Sequence, residues 1–546
     1  MKQFLTVPVL LLIYGCSTGT TDSTATASDT TTVEVSEATL ARHIERLASD
    51  DFLGRMPFTE GEEKTVNYLA EEFKKLELKP GNGDSYFQEV PLVEITGTPS
   101  ETMKISGPKG NFNLSYMDDF VALSKKTEPE VSLENSELVF AGYGIVAPEY
   151  GWNDYEGIDW TGKTAVVLVN DPGFASGDTT LFKGNEMTYY GRWTYKYEEA
   201  GRQGAAGVII IHETAPASYG WNVVQSSWSG AQLNLESNAP VAKVQGWVSQ
   251  EAAARLFEAS QLENKDYNAL ALNRDFKPMP MGLTASIKIN NEIRRNTSKN
   301  VVALLEGSTQ KDEYIIYSAH WDHLGVGRPV NGDSIYNGAV DNASGTAALL
   351  AIAEAFKQGP QPERSVVFMA VTAEEQGLLG SAYYAENPIY PPQKTVANIN
   401  MDAFESPGPM KDLTITGFGH SEMDEYAREV AERQGRYVIP DPEPEKGYFY
   451  RSDHFNFAKI GIPALYAGGS FEDFANGPEY IKKMNEEYRV NRYHQPADEY
   501  DPETTELSGV QSDVQLLYEV GLKLANEDYF PKWYDRSEFK AARESN

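Results

Sequence analysis

Apolar residues between positions 35 and 80 recur at helical spacing. Leu40, Ile44 and Leu47 predict one helix, and Val66, Leu69 and Phe73 a second. Thr59 followed by Glu62 fits a capping box at the start of the second helix, and Gly81 reads as its stop. From about Tyr86 to Ile287 the pattern changes to short β-rich runs: ELVFAGYGIV, KTAVVLVND and AAGVIIIHE, with a helix predicted over YKYEEAGRQGA. After Asn300, strand-like runs alternate with helix-like ones. NVVALLEG, EYIIYSAH, RSVVFMAVTA, VANINMDA, LTITGFG and IPALYAGG read as strands. NASGTAALLAIAEAFKQG, closed by Gly359, reads as a helix, as do HSEMDEYAREVAERQG and ELSGVQSDVQLLYEVGLKLAN. The unbroken apolar run in RSVVFMAVTA suits a strand covered on both faces. The expected fold is α/β: a mostly parallel sheet with helices on both faces, interrupted by a β-rich insertion. Such sheets carry their sites at the carboxyl ends of the strands.

Length and charge narrow the picture. The chain has 546 residues, enough for two to four domains at about 150 residues each. A formal net charge of -33 argues against nucleic acid as a partner, because phosphate binding needs basic patches. The single cysteine, Cys16, follows Lys2 and an apolar stretch from Phe4 to Ile13 that is too short to span a bilayer. That arrangement resembles a bacterial lipoprotein signal in which Cys16 is lipidated. It implies an exported, membrane-anchored protein of the cell envelope. Ser17 to Thr32 is rich in Ser and Thr and reads as a flexible tether. The expected division is a signal segment over 1–16, a tether over 17–34, a catalytic domain over 35–117 and 282–530, an insertion over 118–281 and a tail over 531–546.

Candidate chemistry gathers at predicted strand ends. His320 closes EYIIYSAH, Glu374 and Glu375 follow VVFMAVTA, and Asp402 follows ANINM. Asp341 stands just before a helix, and His494 lies in a loop near the C-terminus. A lone His at a strand end is usually structural, and Asp341 alone could be only a helix cap. Five such segments aimed at one sheet edge are harder to dismiss. Imidazoles and carboxylates without cysteine suit zinc or another divalent metal.

The order His320-Trp321-Asp322, Asp341, Glu374-Glu375, Asp402, His494 resembles that of the co-catalytic di-zinc exopeptidases. These include secreted bacterial aminopeptidases and the glutamate carboxypeptidases. DNASG around Asp341 and RSDHFNFA from Arg451 strengthen the resemblance. It implies that Asp341 bridges two Zn2+ ions, that His320 and Asp402 complete one site, and that Glu375 and His494 complete the other. It also implies Glu374 as general base, Asp322 as the carboxylate orienting His320, and Tyr493 as a donor to the oxyanion. Arg451, His454 and Glu405 become substrate-contact candidates, with Tyr448 and Phe449 lining the pocket. The remaining histidines, His43, His212, His323 and His420, read as structural or surface residues. The insertion, with AGYGIVAPEYGWNDYEGIDWTGKTAVVLVND and GAAGVIII, resembles a protease-associated (PA) domain and is expected to cover one side of the cleft.

The expected activity is a metal-dependent exopeptidase acting on peptides, of aminopeptidase type. Glu405 near Asp402 leans toward recognition of a free amine, and Arg451 leans toward a carboxypeptidase or dipeptidase on the same scaffold. A single-zinc glutaminyl cyclase is the further enzymatic alternative, opposed by the insertion. A receptor-like relative would lack ligands that are all present here. A carbohydrate-binding lipoprotein would leave the strand-end cluster unexplained.

Overall fold

The computed structural model describes Met1 and residues 32–236, 239–262 and 266–545. Cys16, the rest of the expected signal segment after Met1, and the tether up to residue 31 lie outside them. Among the described residues no helix is long and apolar enough to cross a membrane. Residues from Val33 onward form one compact unit.

The chain opens with helix α1 (Glu37–Leu47), capped by the Ser36 side chain, which accepts from the Thr39 amide. Helix α2 (Glu60–Lys75) is capped by Thr59, whose hydroxyl accepts from the Gly61 amide at 3.1 Å. Glu62 reaches back as the capping box predicts, but to the amide of Phe58, at 2.5 Å. The helix stops well before Gly81. Glu77 takes a left-handed φ of 55°, and the Leu78 amide closes on the Phe73 carbonyl. Gly81 serves a different need, since a Cβ there would sit 2.5 Å from a methyl of Val302.

The main sheet is mixed. Its strands are β1 (Phe87–Pro99), β2 (Met279–Leu305), β3 (Gln310–His320), β4 (Arg364–Val371), β5 (Thr395–Asn400), β6 (Asp412–Ile415), β7 (Tyr437–Pro440) and β8 (Ala464–Gly468). They lie in the order β1-β2-β4-β3-β5-β8-β6-β7. The central strands β4, β3, β5 and β8 are parallel, so their carboxyl ends share one edge. Alternate residues sort to opposite faces, as the pleat requires. Ile315, Tyr317, Val366 and Phe368 join helices α3 (Gly345–Gln358), α4 (Met423–Arg433) and α6 (Ser508–Ala525) in one core. Ile316, Val367 and Met369 pack on the other face with Tyr384 and Phe457. Helix α5 (Pro478–Asn491) and the helix Gln250–Ala259 are both absent from the sequence-based expectation.

The seating of α6 on β3 is tight. The Tyr317 hydroxyl donates to the Leu517 carbonyl at 2.9 Å, and a Cβ on Gly521 would meet that hydroxyl at 1.8 Å. Gly521→Ala is therefore expected to destabilise the fold by about 1–3 kcal/mol through overpacking. Chemical denaturation measures this, and a loss below about 0.5 kcal/mol would contradict the close packing.

The inserted module has its own cores on the two faces of a second run of strands. Residues 130–140, 164–168, 207–211 and 244–248 pair in parallel, and 120–123 joins antiparallel. Its packing reaches past 118–281 on both sides, because Met103, Leu114, Ile287 and Ile289 belong to its core. Strand β2 serves both halves of the molecule: its first part pairs with residues 130–140, its middle with β1 and its end with β4.

Candidate metal centre

The shared edge of β4, β3 and β5 carries the predicted residues. His320 is the last residue of β3, while Glu374 and Glu375 follow β4 and Asp402 follows β5. Asp341 sits on the segment Ala339–Ser344 leading into α3. His494 comes from the loop after α5.

These side chains converge. His320 Nε2 lies 3.3 Å from Asp341 Oδ1 and 3.1 Å from Asp402 Oδ1. His494 Nε2 lies 3.3 Å from Asp341 Oδ2 and 3.1 Å from Glu375 Oε2. Asp341 thus presents one oxygen to each imidazole. Two ligands of a tetrahedral zinc, bonded at 2.0–2.2 Å, are about 3.3 Å apart, so these edges have the length that shared coordination needs. His494 Nε2 is buried and makes no hydrogen bond despite its carboxylate neighbours, as expected of a lone pair aimed at an ion. Two groups could each hold a cation: His320 with Asp341 and Asp402, and His323 with Asp341 and Glu375. Glu374 stands beside the first group, with Oε2 3.9 Å from His320 Nε2.

The electrostatics call for positive charge. Burial disfavours an imidazolium at His320, yet Glu374, Asp402 and Asp341 overcome it and hold the pKa well above the usual histidine value. Burial also opposes charge on His494, and Asp341 and Glu375 still raise its pKa to about 10. Burial opposes charge on Asp341 too, but the two imidazoles hold its carboxyl well below the carboxylate range. Burial pushes the Glu374 carboxyl well above that range, with Asp402 and Glu375 adding to it. Bound cations would take over the role of these protons.

Backbone clamps fix these side chains. The buried Arg55 guanidinium donates to the carbonyls of Trp321, Asn337 and Gly338 at 2.9, 2.5 and 2.9 Å, tying the His320 and Asp341 loops together. Asp498 accepts from the Val340 and Asp341 amides, both at 3.1 Å. Asn342 donates to the Met401 carbonyl at 3.0 Å and accepts from the Ala403 amide at 3.2 Å, joining the Asp341 and Asp402 loops. Gly345 of DNASG leaves room for this junction, since a Cβ there would sit 2.5 Å from the Met401 carbonyl oxygen. Ser452 donates to the far oxygen of Asp402 at 2.5 Å, and Asn400 donates to Ser452 at 2.8 Å. Neither Arg55 nor Asp498 carried a signal in the sequence, because each acts on backbone atoms of a segment distant along the chain; Ser452 lies in the RSDHFNFA motif, but its contact with Asp402 was not anticipated.

Three expectations are corrected. The Asp322 carboxylate is 3.8 Å from His320 Nδ1, which instead lies 3.2 Å from the Asp322 carbonyl oxygen. The carboxylate accepts from the Glu374 amide at 3.1 Å, so it fixes the glutamate. His454 is fully buried between Phe449 and Tyr466 and does not line the cleft. His323, read as merely structural, lies in the centre against Glu375.

A cleft of about 460 Å³ opens over Asp341, Glu374, Glu375 and Asp402. Tyr493, Arg451, Glu405 and Tyr448 line it. Tyr493 stacks on His494 with ring centres 3.9 Å apart. Burial pushes the Glu405 carboxyl up to about 7, although Arg489 opposes the shift. Phe449 turns away, stacked on His420. Among the described residues, none of the inserted module lines the cleft. The module instead braces the outside of the 444–459 segment, where Tyr189 packs on Phe455 and Lys459 pairs with Glu198 at 3.3 Å.

Residues 300–517 match the family model described as Peptidase family M28. Aminopeptidase NAALADL1 of Mus musculus is 36% identical over 140 residues, which cover 24% of this chain and 17% of that protein. The Glutamate carboxypeptidase 2 homolog of Caenorhabditis elegans is 35% identical over 205 residues, covering 36% of this chain and 24% of that protein. The chain therefore spans less than a quarter of the length of these two relatives. Among solved structures, an aminopeptidase from Aneurinibacillus sp. strain AM-1 aligns over 91% of this chain and 96% of its own, at 20% identity and a TM-score of 0.49. Every residue of the convergent cluster falls inside the segment that is similar to Peptidase family M28.

Proposed function

We propose that the chain is a metal-dependent exopeptidase of the aminopeptidase type, working with two zinc ions. The observation that carries this reading is the split of Asp341, whose two oxygens each lie 3.3 Å from a different imidazole. His320, Asp341 and Asp402, and Glu375 with His494, would hold the zinc, which would supply Lewis acidity to the scissile carbonyl and the attacking water. Glu374 takes the proton from that water as its oxygen bonds to the carbonyl carbon. It then delivers the proton to the departing amine nitrogen as the C–N bond breaks. Asp322 holds the Glu374 backbone in place for both transfers. Tyr493, in the cleft beside His494, donates a hydrogen bond to the carbonyl oxygen as negative charge develops on it. Glu405, open to the cleft, receives the free α-amine of the substrate.

Arg451 and Arg489 also line the cleft and favour a second reading, carboxypeptidase action on the same scaffold. A panel of peptides with free and blocked N-termini, assayed with and without a chelator, separates the two. Free N-termini are expected to be required, and full metal removal is expected to abolish turnover. Release of C-terminal residues from blocked peptides would replace the aminopeptidase reading. Undiminished activity after complete metal removal would end the metalloenzyme reading.

A further inference from the structure

The two oxygens of Glu375 have different neighbours. Oε2 lies 3.1 Å from His494 Nε2, an edge length that fits two ligands of one ion. Oε1 lies 2.5 Å from His323 Nδ1. Two atoms bonded to one zinc at 2.0–2.2 Å and only 2.5 Å apart would subtend about 75° at the metal, far below tetrahedral. The short contact instead suits a charge-assisted hydrogen bond, with the imidazole N–H donating to the carboxylate. His323 is also held immobile. Its side chain is fully buried, and its ring packs so closely on Gly338 that a Cβ there would sit 2.6 Å from Cγ and Cδ2. Its Nε2 is buried without a partner, a placement that disfavours an imidazole chosen only to fill space.

We propose that His323 is a positioning residue for the Glu375–His494 cation site, fixing Glu375 through Oε1 so that only Oε2 is offered to the ion. The inference rests on the two-ion reading above. A ligand held in this way binds metal more tightly, and loss of such a partner typically weakens metal affinity by about 10–100-fold. The fixed imidazole also gives the adjacent glutamates separate surroundings, with Glu375 turned toward His323 and His494 and Glu374 toward His320.

The test compares His323→Leu, which removes the donor, with His323→Asn, whose amide nitrogen falls near the position of Nδ1. Zinc binding to wild type and both variants is measured by competition with a chromophoric chelator, alongside the thermal midpoints of the zinc-free proteins. In H323L one of the two zinc affinities is expected to fall by about 10–100-fold while the other holds. H323N is expected to recover most of that loss, with zinc-free midpoints close to wild type. Three results would overturn the inference: wild-type affinity for both ions in H323L, equal weakening of both ions, or an H323N variant as weak as H323L, which would indicate direct ligation. A wild-type chain that takes up only one zinc would instead overturn the two-ion reading, and this inference with it.

Discussion

Replacing Glu374 with Gln is expected to lower kcat by about 10²–10⁴-fold while two zinc ions stay bound. The amide keeps the shape of the side chain but cannot accept the proton of the attacking water. In the proposed mechanism Glu374 has that task and does not ligate. It stands 3.9 Å from His320 Nε2, against 3.1–3.3 Å for Asp402 and Asp341. Its amide is anchored on Asp322, so the substitution has no route to loosen the ligands. Steady-state kinetics and metal analysis of the same preparation check both halves of the expectation. A variant that lost zinc would exchange the roles of Glu374 and Glu375, and one that kept full turnover would remove the general base from the scheme.

Asp341→Ala is expected to release both ions together. On the proposed two-ion reading each site would lose one of three protein donors, because Oδ1 faces His320 and Oδ2 faces His494. Both zinc affinities should fall by at least about 100-fold, more than the loss of a supporting hydrogen bond produces. Zinc that binds only the native state raises the wild-type melting temperature, and that increment should vanish in the variant. Elemental analysis after dialysis and thermal scans with and without zinc report the two effects. A variant that keeps one ion at full affinity would show that Asp341 serves a single site.

Much of this centre was legible from residue order, for a physical reason. The apolar runs that end at His320 and just before Glu374 can only be buried strands, and parallel strands bring their ends to one edge. Asp341, Asp402 and His494 then fall into place as further polar residues at the same edge. What stayed hidden depends on contacts across the chain. His323 is three residues from His320, and no spacing rule distinguishes an imidazole that meets Glu375 from one that fills a core. Arg55 precedes a helix like any surface arginine, yet its guanidinium binds carbonyls more than 260 residues away. The end of α2 was misplaced because Glu77 adopts the left-handed conformation that glycine usually supplies. The insertion was visible as a change of pattern, but its edges were not, since Met103 and Ile289 lie in flanking strands that look continuous with the main sheet.

Strand β2 has a consequence for how such a molecule could have been assembled. Ala285 and Ile287 of this one strand lie in the core of the module, while Val301 and Ala303 lie in the core around the main sheet. Domains usually meet at exposed linkers, where a cassette can be cut out or exchanged. Here no such seam exists on the return path, because the backbone passes from one core to the other in unbroken β-pairing. A transplanted module would arrive with half of one of its host's interior strands. The two parts are therefore bound to evolve as a matched pair, and any chimera must inherit its register along with its sequence.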